Sequence, residues 1–166
     1  MDSRTEAEFA EFMRGRWSAL VRLGYGLTGD QHLAEDLARA ALAKAYASWP
    51  RVLRSGDPDV YVRRIILNAS LGKVRRRRAR ERRPDVPEPG TAPGTPAADD
   101  RPALLTALMR LPAGQRSVVV LRYWMDMTEA QAAAVLGCSV GSVRSQASRA
   151  LANLWVGEDV AEEVLL

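Results

Sequence analysis

Apolar residues recur along this chain at intervals of three and four, the period at which side chains return to one face of an α-helix. Phe9, Phe12 or Met13, Leu20, Leu23 and Leu27 set that period and predict a first helix over residues 6–27. Thr28-Gly29-Asp30 interrupts it as a turn, and Asp30 is placed to cap a second helix that runs to about Ser48. Leu33, Leu37, Ala41 and Ala45 share one face of that helix, while Glu35, Asp36, Arg39 and Lys44 lie elsewhere. Pro50 and the cluster Ser55-Gly56-Asp57-Pro58 mark a loop. A third helix is expected from about Asp59, with Val62, Ile65, Ile66 and Ala69 as its apolar stripe. Three such stripes can close a small bundle.

The periodicity stops over residues 84–102, PDVPEPGTAPGTPAADDRP, where no helix or strand pattern survives the prolines. That composition, with acids at Asp85, Glu88, Asp99 and Asp100, predicts an extended linker. Beyond it Leu104, Leu105, Leu108 and Leu111 mark a helix that stops at Pro112, and residues 115–123 form another. Trp124, Met125 and Met127 are expected to seal the core rather than to bind a ligand. The chain is therefore predicted to be all-α. Two small helical domains, residues 1–83 and 103–166, are joined by a flexible linker over 84–102, and the second ends in a helix-turn-helix.

That helix-turn-helix occupies residues 128–154. Thr128-Glu129-Ala130-Gln131 fits a capping box, and Gly137 stands where a helix end calls for a left-handed residue. Ser139 can cap the second helix, with Val140, Val143, Ala147, Ala150 or Leu151, and Leu154 as its inner stripe. Ala133 is small where the two helices must cross. Gly141, Ser142, Arg144, Ser145, Ser148 and Arg149 are left on the outer face. Small polar residues with arginines suit a helix in a DNA major groove, where arginine pairs bidentately with guanine. The plainer alternative is a helical hairpin with a solvated face.

Charge adds a second signal. The 166 residues carry a net charge of +4, consistent with a polyanionic partner, and the charge is unevenly placed. Residues 63–83 are densely basic, whereas Glu158, Asp159, Glu162 and Glu163 make the tail acidic. Adjacent like charges repel one another unless an anion offsets them, so the arginine run predicts a phosphate backbone as partner. Arginines in such a run mostly hold the backbone, which leaves base reading to Asn68 and its neighbours. A single cysteine, Cys138, precludes an internal disulfide and fits a reducing cytosol. No apolar run approaches membrane-spanning length, and the polar start is not that of a signal peptide, so a cytoplasmic protein is expected. His32 is the only histidine, and neither it nor Cys138 has companions at ligand spacing. No metal, no cofactor and no enzymatic activity are expected.

Taken together, these stretches resemble bacterial RNA polymerase sigma factors of the extracytoplasmic-function type, in their SigE-like actinobacterial branch. Ala34-Glu35-Asp36-Leu37 with Ala41-Leu42-Ala43-Lys44-Ala45-Tyr46 resembles the family's polymerase-binding helix. Tyr61-Val62-Arg63-Arg64-Ile65-Ile66-Leu67-Asn68 and the arginines after it resemble its promoter-melting, −10-reading helix. Leu111-Pro112-Ala113-Gly114-Gln115-Arg116 opens a run similar to the start of its −35-reading domain. Leu136-Gly137-Cys138-Ser139-Val140-Gly141-Ser142-Val143-Arg144 resembles its helix-turn-helix. The resemblance implies core polymerase contacts, on the clamp, at Glu35, Asp36, Leu37 and Lys44. It implies −10 contacts at Tyr61, Arg64, Asn68, Arg75, Arg76 and Arg77, and −35 contacts at Ser139, Ser142, Arg144, Ser145 and Arg149. Promoter DNA and an anti-sigma factor are the other implied partners, and the free chain is expected to be a monomer.

Two features depart from the family pattern. Arg39-Ala40 stands where Gln-Glu is common, and no aromatic residue lies around Leu71-Gly72-Lys73. Tyr61 and Trp49 are then the aromatics left near the place where bases are unstacked. Two other readings stay open on the residues alone: a stand-alone helix-turn-helix regulator, and a degenerate sigma-like protein that titrates a regulator.

Overall fold

The computed structural model describes residues 2–81 and 102–155, and among these the regular elements are all helical. The linker and the acidic tail lie outside the described residues.

Helix α1 (Ser3–Thr28) starts three residues before the apolar period does, because its first turn is set by a polar cap. The Asp2 carboxylate accepts from the Thr5 backbone N–H at 2.8 Å and from its hydroxyl at 2.7 Å. Helix α2 (Gln31–Ala47) follows after Gly29, and Asp30 caps it as expected by accepting from the Leu33 N–H at 3.1 Å. Its buried face is wider than four residues, since Ala34, Ala38 and Leu42 join Leu37, Ala41 and Ala45. The alanines allow close approach to α1. A Cβ on Gly24 would sit 2.9 Å from the Ala34 Cα, a backbone atom that cannot yield.

The stretch around Pro50, read as loop, is instead helix α3 (Trp49–Arg54). Proline is tolerated there because it lies in the first turn, where the missing N–H would have no partner. The helix is held by burial: Trp49 is 2% exposed and meets Phe9 edge-on, with ring centroids 5.1 Å apart. Helix α4 (Pro58–Glu81) then closes the bundle with Val62, Ile66 and Leu67.

In the second half, α5 (Ala103–Arg110) ends at Leu111-Pro112. The helix expected over 115–123 begins earlier, as α6 (Ala113–Val119), and opens into a π turn at Val120–Trp124. In that turn the Met125 N–H donates to the Val120 carbonyl at 2.8 Å. Arg116 is buried beside it. Its guanidinium donates to the carbonyls of Leu108 (2.9 Å), Met109 (2.9 Å) and Leu111 (3.0 Å), which cluster at the C-terminal end of α5. A cation is favoured there by the unsatisfied carbonyls and the helix dipole. A fourth bond, to the Leu27 carbonyl at 3.2 Å, reaches α1. Helices α7 (Glu129–Leu136) and α8 (Val140–Trp155) complete the chain. The two helical halves are packed together, α1 and α4 against the π turn, α5, α6 and α7, and their buried side chains form one cluster.

Candidate nucleic-acid interface

The helix-turn-helix is built as its sequence implies. Thr128 Oγ1 accepts from the Gln131 N–H at 3.1 Å, and Gln131 Oε1 accepts from the Thr128 N–H at 2.9 Å, closing the capping box. Gly137 has φ +71°, the left-handed conformation that glycine adopts without steric cost. Its N–H and that of Cys138 both donate to the Ala133 carbonyl, at 2.9 and 3.2 Å, so that carbonyl of the last α7 turn is satisfied before the chain turns. Ser139 Oγ accepts from the Ser142 N–H at 3.1 Å and starts α8.

Val143, Ala147, Ala150 and Leu154 of α8 are buried, and Ser142, Arg144, Ser145 and Arg149 are exposed on the other side. Val140, assigned to the inner stripe by its spacing, is 38% exposed at the first residue of α8. Asn153 ties the helix to α6 by donating to Gln115 Oε1 at 2.6 Å. Arg144 is not loose in solvent. It forms a two-pronged ion pair with Glu129, Nε to Oε2 at 3.0 Å and Nη2 to Oε1 at 3.3 Å. The bond holds the Glu129 carboxyl below its usual range and pushes the Arg144 guanidinium up.

On α4, Tyr61, Arg64 and Asn68 are spaced to share one face. Tyr61 is half-buried, and Asn68, Lys73 and Arg76 are exposed. Arg76 Nε lies 3.4 Å from the Gly72 carbonyl; the side chains of Arg75 and Arg77 are outside the described residues. Arg64 reaches the other half of the molecule, donating from Nε (3.0 Å) and Nη2 (2.6 Å) to the Ala134 carbonyl of α7. Beside it Arg63 pairs with Asp59 at 2.7 Å, and Asp59 also faces Arg16 at 3.4 Å. Trp49, counted among the aromatics near the melting region, is buried in the bundle and cannot stack on a base.

The α2 surface carries the residues assigned to polymerase. Glu35, Asp36 and Lys44 reach it, but Leu37 is 5% exposed and belongs to the bundle core, beneath that surface. Arg39 lies between the two acids, 3.6 Å from Glu35 and 3.2 Å from Asp36, with its guanidinium 5.6 Å from the Trp17 ring centroid. Sequence reasoning missed Trp124 as a contact between the two halves. Its indole N–H donates to the Arg22 carbonyl at 2.9 Å, and the Arg22 guanidinium lies over its ring at 5.4 Å. Nothing local to residue 124 marks a partner 102 positions away. Among the described residues no group of three or more His, Cys, Asp or Glu is placed to hold a metal, and no helix is long and apolar enough to cross a membrane.

Comparison with known proteins gives this geometry a family. Residues 16–80 match sigma-70 region 2, and residues 101–154 match sigma-70 region 4. The chain is similar to the RNA polymerase sigma-E factor of Streptomyces antibioticus, 38% identical over 148 residues that cover 89% of this chain and 82% of that one. It is also similar to the sigma-E factor of Streptomyces coelicolor, at 38% identity over 89% of this chain and 84% of that one. Its fold is that of the sigma factor RpoE in complex with the anti-sigma factor NepR from Bartonella quintana, with a TM-score of 0.68 at 24% identity, covering 89% of this chain and 94% of that one. With region 2 in its first bundle and region 4 around its helix-turn-helix, the chain belongs to the sigma-70 family, as an RNA polymerase sigma factor of the extracytoplasmic-function type.

Proposed function

We propose that this sigma factor, in directing core polymerase to promoters, divides its contacts among three helices: α8 for the −35 element, α4 for the −10 element and α2 for the polymerase clamp. The two-sided character of α8 carries the reading. One face is buried by Val143, Ala147, Ala150 and Leu154, and the other offers Ser142, Arg144, Ser145 and Arg149 from a helix whose start is fixed by Ser139. Such a face enters a major groove with its N-terminal turns against base edges, and its arginines can pair bidentately with guanine.

On α4, Arg75, Arg76 and Arg77 belong to the run that grips phosphates, which positions the strand without reading it. Asn68, Arg64 and Tyr61 precede the run and meet the bases. With Trp49 buried, unpaired bases are held by polar groups and backbone charge more than by aromatic stacking. Glu35, Asp36 and Lys44 form the clamp contact, supported from beneath by Leu37. Residues 84–102 act as a tether between the region 2 unit (1–83) and the region 4 unit (103–166), and its acids suit the positively lined path of nucleic acid through polymerase. Each DNA contact is weak alone, and polymerase makes them one event by effective concentration.

The chain acts in the cytoplasm as a monomer until polymerase takes it, and the chemistry of initiation belongs to polymerase. An anti-sigma factor covering the polymerase-binding faces would restrain it, as NepR is found with the Bartonella protein. Reconstituted transcription tests the function. Core polymerase plus this chain should give a transcript that depends on both promoter elements. Absence of any promoter-specific transcript across candidate promoters would reject it.

A further inference from the structure

The N–H groups of a guanidinium point in fixed directions, so whatever holds one edge of an arginine decides which edge is left to read a base. On Arg144 the Glu129 carboxylate takes the side edge, with Nε 3.0 Å from Oε2 and Nη2 3.3 Å from Oε1. That uses the N–H of Nε and one N–H of Nη2. The end edge remains, an N–H of Nη1 beside the other N–H of Nη2, and these two donors are parallel. Guanine offers a matching pair of acceptors on its major-groove edge, O6 and N7. The Arg144 side chain stays 69% exposed with its partner in place, so the ion pair does not bury it.

The group that holds Arg144 is itself held. Glu129 is the first residue of α7, directly after Thr128, and the capping box between Thr128 and Gln131 sets the backbone there. Arg144 stands in the second turn of α8, whose start is set by Ser139. Buried Ala133 and Val143 lie where α7 and α8 pack, so the two helix starts keep their spacing. Arg122 adds to the positive field at Glu129, while its own guanidinium donates to the Met127 carbonyl. The carboxylate is therefore charged, with Arg144 as its two-pronged partner. A free arginine loses rotamer entropy when it meets a base, and one already held in place loses less.

We propose that Glu129 is a positioning residue for promoter reading: it grips Arg144 side-on, so that the end edge of the guanidinium meets one guanine of the −35 element. Its charge sharpens the choice from the negative side as well. A carboxylate brought up to DNA is repelled by phosphates and base acceptors, and a duplex without that guanine has nothing to offset the repulsion. The inference rests on the assignment of Arg144 to the −35 element given above.

Holoenzyme reconstituted from core polymerase and the full chain tests it, on fragments of a promoter that it transcribes. Each −35 base pair is replaced in turn, and the ratio of Kd for replaced and native fragments is measured for wild type, Glu129→Gln, Arg144→Ala and the double variant. In the wild type one G·C pair should give a ratio of about tenfold, which Arg144→Ala brings to about one. Glu129→Gln should lower the ratio at that same pair to about threefold and leave the other pairs unchanged. It should also bind the fragment replaced at that pair more tightly than the wild type does. In the Arg144→Ala background Glu129→Gln should change no ratio, as expected of two residues that act as a unit. Glu129→Ala should repeat the Gln result, and thermal melting confirms that each variant is folded. If Arg144→Ala levels a pair at which Glu129→Gln keeps full discrimination, the positioning role is overturned and the reading of α8 stands. Loss at every pair alike in Glu129→Gln overturns it too, since a disturbed helix start would give that result. Loss at a different pair means that Glu129 itself meets a base, and likewise overturns it. No pair levelled by Arg144→Ala overturns the assignment of Arg144 to a base, and this inference with it.

Discussion

Arg144, on the exposed side of α8, holds Glu129 at the start of α7 with both prongs of its guanidinium, at 3.0 and 3.3 Å. Glu129 is well placed in a first helical turn, where the dipole favours an anion. The pair is exposed on the arginine side, so it contributes little to stability. Its effect is on orientation and charge: a side chain assigned to the −35 element is already aimed and partly neutralised before DNA arrives.

Replacing Glu129 with Gln removes the competitor for Arg144. The salt dependence of −35 binding should steepen by about one in the log–log slope, because the bound face then brings one more unneutralised cation into the DNA's counterion atmosphere. Acid should act in the same direction. The Glu129 carboxyl is held below its usual range by its bond to Arg144, so the pair is intact at and above that range and is lost as pH falls through the depressed value. Titrating DNA affinity against salt for both proteins checks this, and identical slopes would count against it.

Arg149→Ala and Arg76→Ala should fail differently. Loss of Arg149 relaxes preference for the native −35 sequence by roughly tenfold if it pairs with a base. Loss of Arg76 weakens binding to all sequences alike and lowers the salt slope by about one. Competition between matched and scrambled duplexes separates the two. Equal, salt-insensitive losses at both positions would contradict the division between reading and gripping.

Arg39→Gln should strengthen binding to core polymerase. Arg39 sits within 3.6 Å of Glu35 and 3.2 Å of Asp36 and offsets both acids on the surface assigned to the clamp. Freed of it, they present their charge to the partner. A fluorescence titration of core polymerase should show tighter binding, more so at low salt where exposed charges are least screened. Weaker binding would mean that Arg39 itself touches polymerase.

Helix ends and core should carry stability in distinct amounts. Thr128→Ala opens the capping box and should cost about 1 kcal/mol. Gly137→Ala forces a side chain into a left-handed conformation and should cost about 1–2 kcal/mol. Ile66→Ala leaves a cavity in a fully buried site of the first bundle and should cost about 2–5 kcal/mol. Denaturant unfolding measures all three.

Much of the fold was legible because its causes are local. The Asp30 cap, the Thr128 capping box, Gly137 and the spacing of Val143, Ala147, Ala150 and Leu154 each depend on residues within a few positions, and the structure realises them. The α3 helix was not, since Pro50 reads as a breaker and only burial of Trp49 and Val52 makes a six-residue helix worthwhile. The outer face of α8 was readable as a face. That Arg144 would find Glu129, 15 positions away, was not.

The sequence by itself determined the helices, their caps and the two-sided α8, because backbone hydrogen bonds and apolar periodicity are settled between near neighbours. Only the tertiary structure decided what the arginines and tryptophans do. Arg64 on Ala134, Arg116 on Leu27 and Trp124 on Gly26 join residues 70 or more positions apart. No spacing encodes such a pair; it exists only where two folded surfaces bring an unsatisfied carbonyl to a cation and a ring to a glycine.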